Sequence, residues 1–190
     1  MNATRRPSFC LAFVVAVFGL AGFSSRAVEP KAGVKLTTVK YDAMIKEVAA
    51  SKAKLTVVDV WATWCGPCKE HFPDFIALSK KYGDKGVAFA SVSLDDAAKP
   101  KAVAEATAFL QGQQATITNY LLDESMDDAF EKFDISAISA VFLLGPDGKV
   151  VRRFTQDDPN HIFTYPEIDT AIQEFLAGKP MTTGDAPKPR

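Results

Sequence analysis

Three observations in the sequence predict an α/β fold, a mixed central sheet with helices on both faces. Short β-branched runs alternate with amphipathic helical runs. The stretch VVDVWATWCGPCKEHFP (57–73) steps from a strand through a turn into a helix, and the chain closes with a hairpin followed by a helix. At 190 residues and 47% hydrophobic, the chain suits one globular domain with appendages and a continuous core.

VKLTTV (34–39) has strand character, and YDAMIKEVAAS sets Met44, Ile45 and Val48 at helical spacing behind Asp42 as its cap. KLTVVDVW is a β-branched run that reads as a strand buried on both faces. In CGPCKEHFPDFIALSKKYG a turn-like Gly66-Pro67 opens a helix with an apolar stripe of Phe72, Phe75, Ile76, Leu78 and Tyr82. Gly83 then stands where glycine stops helices. VAFASVSL (87–94) reads as the next buried strand, and PKAVAEATAFLQG as a helix with Pro100 in its first turn and Gly112 beyond its last. ATITNYLL reads as a strand and SMDDAFEKF as a short helix. AVFLLGPDGKVVRRF reads as two strands joined at Gly145-Pro146-Asp147-Gly148, a hairpin signal. YPEIDTAIQEFLAG ends the series with a helix whose apolar face includes Ile168, Ile172, Phe175 and Leu176. No internal repeat or low-complexity block interrupts Lys35 to Gly178.

The two ends read differently. Arg5 and Arg6 precede an apolar run from Phe9 to Phe23 and small residues ending in Ser25-Arg26-Ala27, the order of a secretory signal with cleavage after Ala27. The run is short for a membrane span of ~20 residues, which leaves an uncleaved anchor as the alternative. Removing residues 1–27, with three bases and no acid, leaves 19 − 23 = −4 from the counts of 22 and 23, with no basic stripe suited to nucleic acid. Cys10 goes with the signal, so an extracytoplasmic, periplasmic protein would keep only Cys65 and Cys68. The domain then spans 28–178, and the Pro-, Gly- and Thr-rich residues 179–190 read as a flexible tail.

Two cysteines three positions apart are no disulfide framework, which needs several distant pairs. A thiol attacks a disulfide as thiolate, so a redox pair needs one accessible sulfur with a lowered pKa, and a helix N-terminus supplies both. Cys65 at the helix start is the candidate nucleophile. Cys68, one turn later and facing the interior, is the candidate resolving thiol, with Gly66 and Pro67 closing the turn. Two other readings stand beside this one: an inert staple, which so small a loop stabilises little, and a metal clip completed by His71, for which His161 is the only other histidine.

Trp61, Ala62, Trp64, Cys65, Gly66, Pro67, Cys68 and Lys69, with Pro73 inside the helix, resemble the active-site motif of thioredoxins. The resemblance continues through FDISAISAVFLLGPDGKVV, covers about Val34 to Gly178, and implies a thioredoxin fold. Residues from about 96 to 122 form a helix-strand insert, which is similar to the exported TlpA/ResA-like thiol-disulfide oxidoreductases. That branch implies an exported monomer without a bound cofactor that reduces disulfides in proteins such as apocytochrome c or copper-site proteins and draws electrons from a membrane donor. It also implies that Asp59 matches the buried acid that shuttles the resolving cysteine's proton, and that Trp61, Trp64, Gly66, Pro67 and Ser139 meet the substrate.

The motif departs from the family at three places. Ser91 falls where the acid's lysine partner belongs, and His71, after Glu70, where the exported branch often has a glutamate. Ser139 falls where the family has a cis-proline opposite the cysteines. A non-proline cis bond costs ~3–4 kcal/mol, so a trans bond and an altered docking loop are expected there. Loss of the proline would also open the pair to metal, which keeps a copper or iron–sulfur carrier as the alternative function. Peroxidase chemistry is disfavoured because no Pro-x-x-x-Thr-x-x-Cys run is present.

Overall fold

A computed structural model describes Met1, residues 33–157 and residues 160–186. All the elements below lie in one compact unit, Lys31–Arg190. Residues 2–27 of the signal-like segment fall outside the described residues. Among those described, no helix is long and apolar enough to cross a membrane.

The order along the chain is β1 (Leu36–Val39), α1 (Tyr41–Ala50), β2 (Leu55–Trp61), α2 (Gly66–Tyr82), β3 (Val87–Ser93) and α3 (Pro100–Gly112). It continues with β4 (Thr118–Leu122), α4 (Met126–Phe133), β5 (Ala140–Leu144), β6 (Val150–Phe154) and α5 (Tyr165–Leu176). The six strands form one mixed sheet in the order β1-β4-β3-β2-β5-β6. The first four are mutually parallel, while β5 runs antiparallel to both β2 and β6. The insert expected at about 96–122 is α3 plus β4, and its strand lies between β1 and β3 inside the sheet.

Strand alternation sorts the helices onto two faces. Trp61 packs on Phe72 of α2 and Phe109 of α3, at centroid separations of 5.3 and 4.8 Å, and Phe89 packs on Phe75 of α2 at 5.5 Å. Odd positions of β2 and β3 therefore face α2 and α3, and α5 joins them through the pairing of Tyr165 with His71. On the opposite face Phe142 of β5 stacks on Phe133 of α4 at 5.5 Å. Every residue of β2 is buried, as its unbroken β-branched run predicts.

Local details differ from expectation at the element ends. Lys40, not Asp42, is the N-cap of α1, and Asp42 lies in the first turn, where a negative charge suits the helix dipole. Gly83 keeps right-handed helical geometry and opens a short 3-10 turn, Gly83–Lys85; Gly86, at φ 85°, makes the left-handed stop. Gly112 is the last residue of α3 instead of lying beyond it.

The segment read as a flexible tail is docked over its described part. The backbones of Asp185 and Arg153 exchange two hydrogen bonds at 3.0 and 2.8 Å, and the Thr182 N–H and hydroxyl donate to Glu174. Polar pairing and the packing of Met181 on the core hold it, and neither is signalled by apolar periodicity.

Phe72 is fully buried between Trp61, Phe75 and Phe109, at the junction of the insert and α2. Replacing Phe72 with Ala should lower unfolding free energy by about 3–5 kcal/mol, read as a lower denaturant midpoint at unchanged slope.

Candidate active site

The site forms where β2 runs out. Leu94 N–H donates to the Trp61 carbonyl at 2.8 Å, and Cys65 N–H to the Ala62 carbonyl at 3.1 Å, so the chain turns at once beyond the strand. Asp95 fixes that turn from outside. It accepts from Thr63 N–H at 3.0 Å, from the Thr63 hydroxyl at 2.5 Å and from the Ser93 hydroxyl at 2.7 Å. A buried carboxylate with three donors holds the segment before the first cysteine.

Cys65 is the N-cap of α2, and Pro67 falls in the first turn, where its missing N–H loses no helical bond. Cys65 and Cys68 are joined in a disulfide with Cα atoms 5.3 Å apart. The Cys65 sulfur accepts the Cys68 N–H at 3.2 Å, so one unpaired donor of the helix start is already aimed at it. Cys65 is 6% exposed and Cys68 2%. Both residues are buried, Cys65 slightly less so.

Around the pair Trp64 is 56% exposed, and Gly66 and Pro67 lie on the surface. Trp61 is different. It is fully buried under Phe72 and Phe109, so it supports the turn from below and does not line the approach. Its odd position in β2 aims it at the helices.

Ser139 is placed by register. Val60 pairs with Ala140, which sets Ser139 at the end of the sheet where β2 leaves for the cysteines. The Ile138–Ser139 peptide is cis, correcting the trans bond expected from the general cost of non-proline cis bonds. The segment before it is held by a buried Arg153. This guanidinium donates to Asp134 Oδ2 at 2.8 Å, to the Asp134 carbonyl at 2.5 Å and to Asp157 Oδ2 at 2.9 Å. Asp157 Oδ1 in turn accepts the Ser136 N–H at 3.0 Å and the Ser136 hydroxyl at 2.8 Å.

Asp59 lies two residues before Trp61 and faces the same helices. It is 1% exposed, and among the described residues neither of its oxygens has a hydrogen-bond partner. Burial pushes its carboxyl pKa up to about 8, and the approaching Tyr165 hydroxyl holds back part of that rise without closing a full hydrogen bond. Ser91 is paired with Asp59 across β3, but its hydroxyl donates to Asn119 at 2.8 Å. Nothing therefore occupies the part of the absent lysine from that strand.

His71 is exposed on α2, and no group of three or more His, Cys, Asp or Glu side chains able to hold a metal occurs among the described residues. Asp95, Arg153, Asp157 and Tyr165 were not singled out from the sequence. Thr63 and Asp95 lie 32 residues apart, and no local pattern links such partners. Tyr165 reads there only as a helix-start aromatic.

Two outcomes follow from these groups. Unfolded, Asp59 titrates near 3.8; folded, near 8, so the native state holds a proton that the unfolded chain lacks between those values. Stability should therefore fall as pH rises from about 4 to 8, by at most about 1.4 kcal/mol per pH unit from this group. Denaturant titrations across that range should show the decline flattened in Asp59→Asn. Arg153→Ala should cost about 1.5–3 kcal/mol and speed amide exchange at Ser136, measured by hydrogen–deuterium exchange.

A model of the Redoxin family matches residues 31–172. Thioredoxin of Coprinus comatus is 45% identical over 47 residues, 25% of this chain and 44% of that one. Thiol-disulfide oxidoreductase ResA of Bacillus subtilis is 28% identical over 110 residues, 57% of each chain. Among solved structures, a candidate thiol:disulfide interchange protein DsbE from Chlorobium tepidum superposes with a TM-score of 0.51 at 25% identity, covering 67% of this chain and 81% of that one. The chain spans about half the length of the curated relatives it matches. With the family model covering well over half of the chain, and with these relatives beside it, the protein belongs to the Redoxin family, as a TlpA/ResA-like member of the thioredoxin superfamily.

Proposed function

We propose that this protein is an exported thiol-disulfide oxidoreductase that reduces disulfides of other exported proteins through Cys65 and Cys68. The observation that carries the reading is the disulfide between Cys65 and Cys68 at the start of α2, with the Cys68 N–H directed at the Cys65 sulfur. A helix start stabilises a thiolate at that sulfur once the pair is reduced.

In the reduced protein the Cys65 thiolate attacks one sulfur of a substrate disulfide, forms a mixed disulfide and expels the other substrate sulfur as thiolate. Cys68 then gives its proton to Asp59 and attacks the Cys65 sulfur. The second substrate sulfur leaves, and the 65–68 disulfide forms. Two electrons pass to the substrate, and the pair is restored by a reductant of the membrane-donor class. Asp59 suits the proton transfer because its raised pKa sits close to neutral pH, where a base can both take and release a proton.

The signal-like order of residues 1–27 supports export to the periplasm, and the Gly66-Pro67 dipeptide, like that of reducing thioredoxins, supports the reductive direction. The substrate class is a disulfide-containing exported protein such as an apocytochrome c or a copper-site protein. Trp64, Gly66 and Pro67 form the exposed surface beside the sulfurs, and Ser139 stands at the end of the sheet next to them.

Purified protein kept reduced with dithiothreitol should reduce insulin disulfides. Cys65→Ser should abolish the activity, while Cys68→Ser should accumulate a mixed disulfide visible on non-reducing gels. A wild-type protein that reduces no disulfide, or that carries about one equivalent of copper or iron lost in Cys65→Ser, would overturn the reading.

A further inference from the structure

β6 is the outermost strand of the sheet, and the C-terminal segment lies along its open edge. Arg153 and Asp185 pair there as an antiparallel bridge, with N–H to carbonyl distances of 3.0 and 2.8 Å. Further contacts seat the same segment. The Arg152 guanidinium donates to the Met181 carbonyl, and Met181 packs on the core. The Thr182 N–H and hydroxyl donate to the Glu174 carboxylate of α5, each at 2.7 Å, and the Thr183 hydroxyl donates to the Glu167 carbonyl at 2.6 Å. Gly184 permits the close approach. At its φ of 74° a Cβ would stand 2.7 Å from Phe154 Cζ and 3.0 Å from the Arg153 carbonyl oxygen.

The residue this segment pairs with is the one that holds the chain before Ser139. Arg153 is 4% exposed; its backbone pairs with Phe142 of β5, and its guanidinium donates to Asp134 and Asp157. Asp157 carries the hold to the Ser136 N–H and hydroxyl at 3.0 and 2.8 Å. A buried guanidinium reaches two carboxylates only while its own backbone keeps its place. An edge residue whose outward N–H and C=O face water opens more readily than one paired on both sides. The bridge from Asp185 fills the outward groups of Arg153 and removes that freedom. A series of hydrogen bonds thus joins the C-terminal segment to the stretch that leads into Ser139.

We infer that residues 181–185 form a positioning strap for substrate docking: by fixing Arg153 on the edge of β6, they hold residues 134–139 in the shape that receives a protein disulfide. The inference rests on the reading of this protein as a disulfide reductase with Ser139 on its docking surface. A protein substrate meets that stretch through an extended segment around its disulfide, in the manner of strand addition, and so depends on its shape. A small disulfide reaches the Cys65 sulfur without it. The strap therefore acts on substrate class and leaves the sulfur chemistry alone.

Two variants of the full chain test this. Gly184→Val drives a side chain into Phe154, and Thr182→Val combined with Thr183→Val removes both hydroxyl anchors at nearly unchanged shape. Hydrogen–deuterium exchange at the Arg153 and Asp185 amides reads release of the strap, and exchange at Ser136 reads the docking stretch. Both variants should speed exchange at the three amides by about tenfold and raise the KM for insulin about fivefold, with kcat on insulin and kcat/KM for oxidised glutathione unchanged. Faster exchange at Arg153 and Asp185 with Ser136 and the insulin KM unmoved would overturn the inference, as would an equal loss on insulin and glutathione. Amides at Arg153 and Asp185 that stay protected in both variants overturn the anchoring and the inference with it. Wild-type protein that reduces neither disulfide overturns the proposed function, and exchange at Ser136 still decides whether the strap holds the stretch.

Discussion

The active site depends on one constraint, the exit of a fully buried strand directly into a helix. β2 is hydrogen-bonded on both edges and covered on both faces, so its end is fixed in space. The next residues have no freedom to wander, because Asp95 holds Thr63 and the Ala62 carbonyl holds Cys65. The first sulfur therefore arrives at the start of α2, where unpaired N–H groups and the helix dipole favour a thiolate. The same strand carries Asp59 two residues before its end, on the face that α2 and α5 cover. The placement of the first cysteine at a helix start and of a buried acid thus both follow from the course of a single strand.

Two groups of residues act around the cysteines at a distance from each other. Asp59 lies on the helical face, the one where Tyr165 packs against His71. Arg153, Asp134, Asp157 and Ser136 lie toward the other edge of the sheet and hold the segment that ends in Ser139. A nearly buried guanidinium with two carboxylate partners pins that segment alongside the apolar contacts of Ile135 and Ile138, and its charge is compensated in place. The titration of Asp59 and the shape of this segment are accordingly separable by substitution.

Much of the fold was legible because periodicity reports burial. The buried run of β2, the stripe of α2 and the hairpin before α5 all match the expected elements. Element ends were less legible, since caps depend on a few backbone angles; Gly86 stops the turn that Gly83 was expected to stop. Cys65, Cys68 and Asp59 were visible as a local motif. Trp61, expected to meet the substrate, is instead buried, because the motif says nothing of Phe109, which comes from the insert to cover it. The cis bond at Ser139, the Arg153 clamp and the approach of Tyr165 depend on long-range placement, and no spacing in one segment encodes them.

Exchange of two electrons at Cys65 and Cys68 is the central claim, and the thiol state of these two residues against a glutathione redox series tests it most directly. Quantified by thiol trapping and mass spectrometry, with metal content read on the same sample, the pair should open and close together in a single two-electron transition. Its midpoint should lie nearer the thioredoxin value of about −270 mV than the about −120 mV of a strong oxidant. A pair whose state does not change across the series, or a midpoint at the strongly oxidising end, would contradict it.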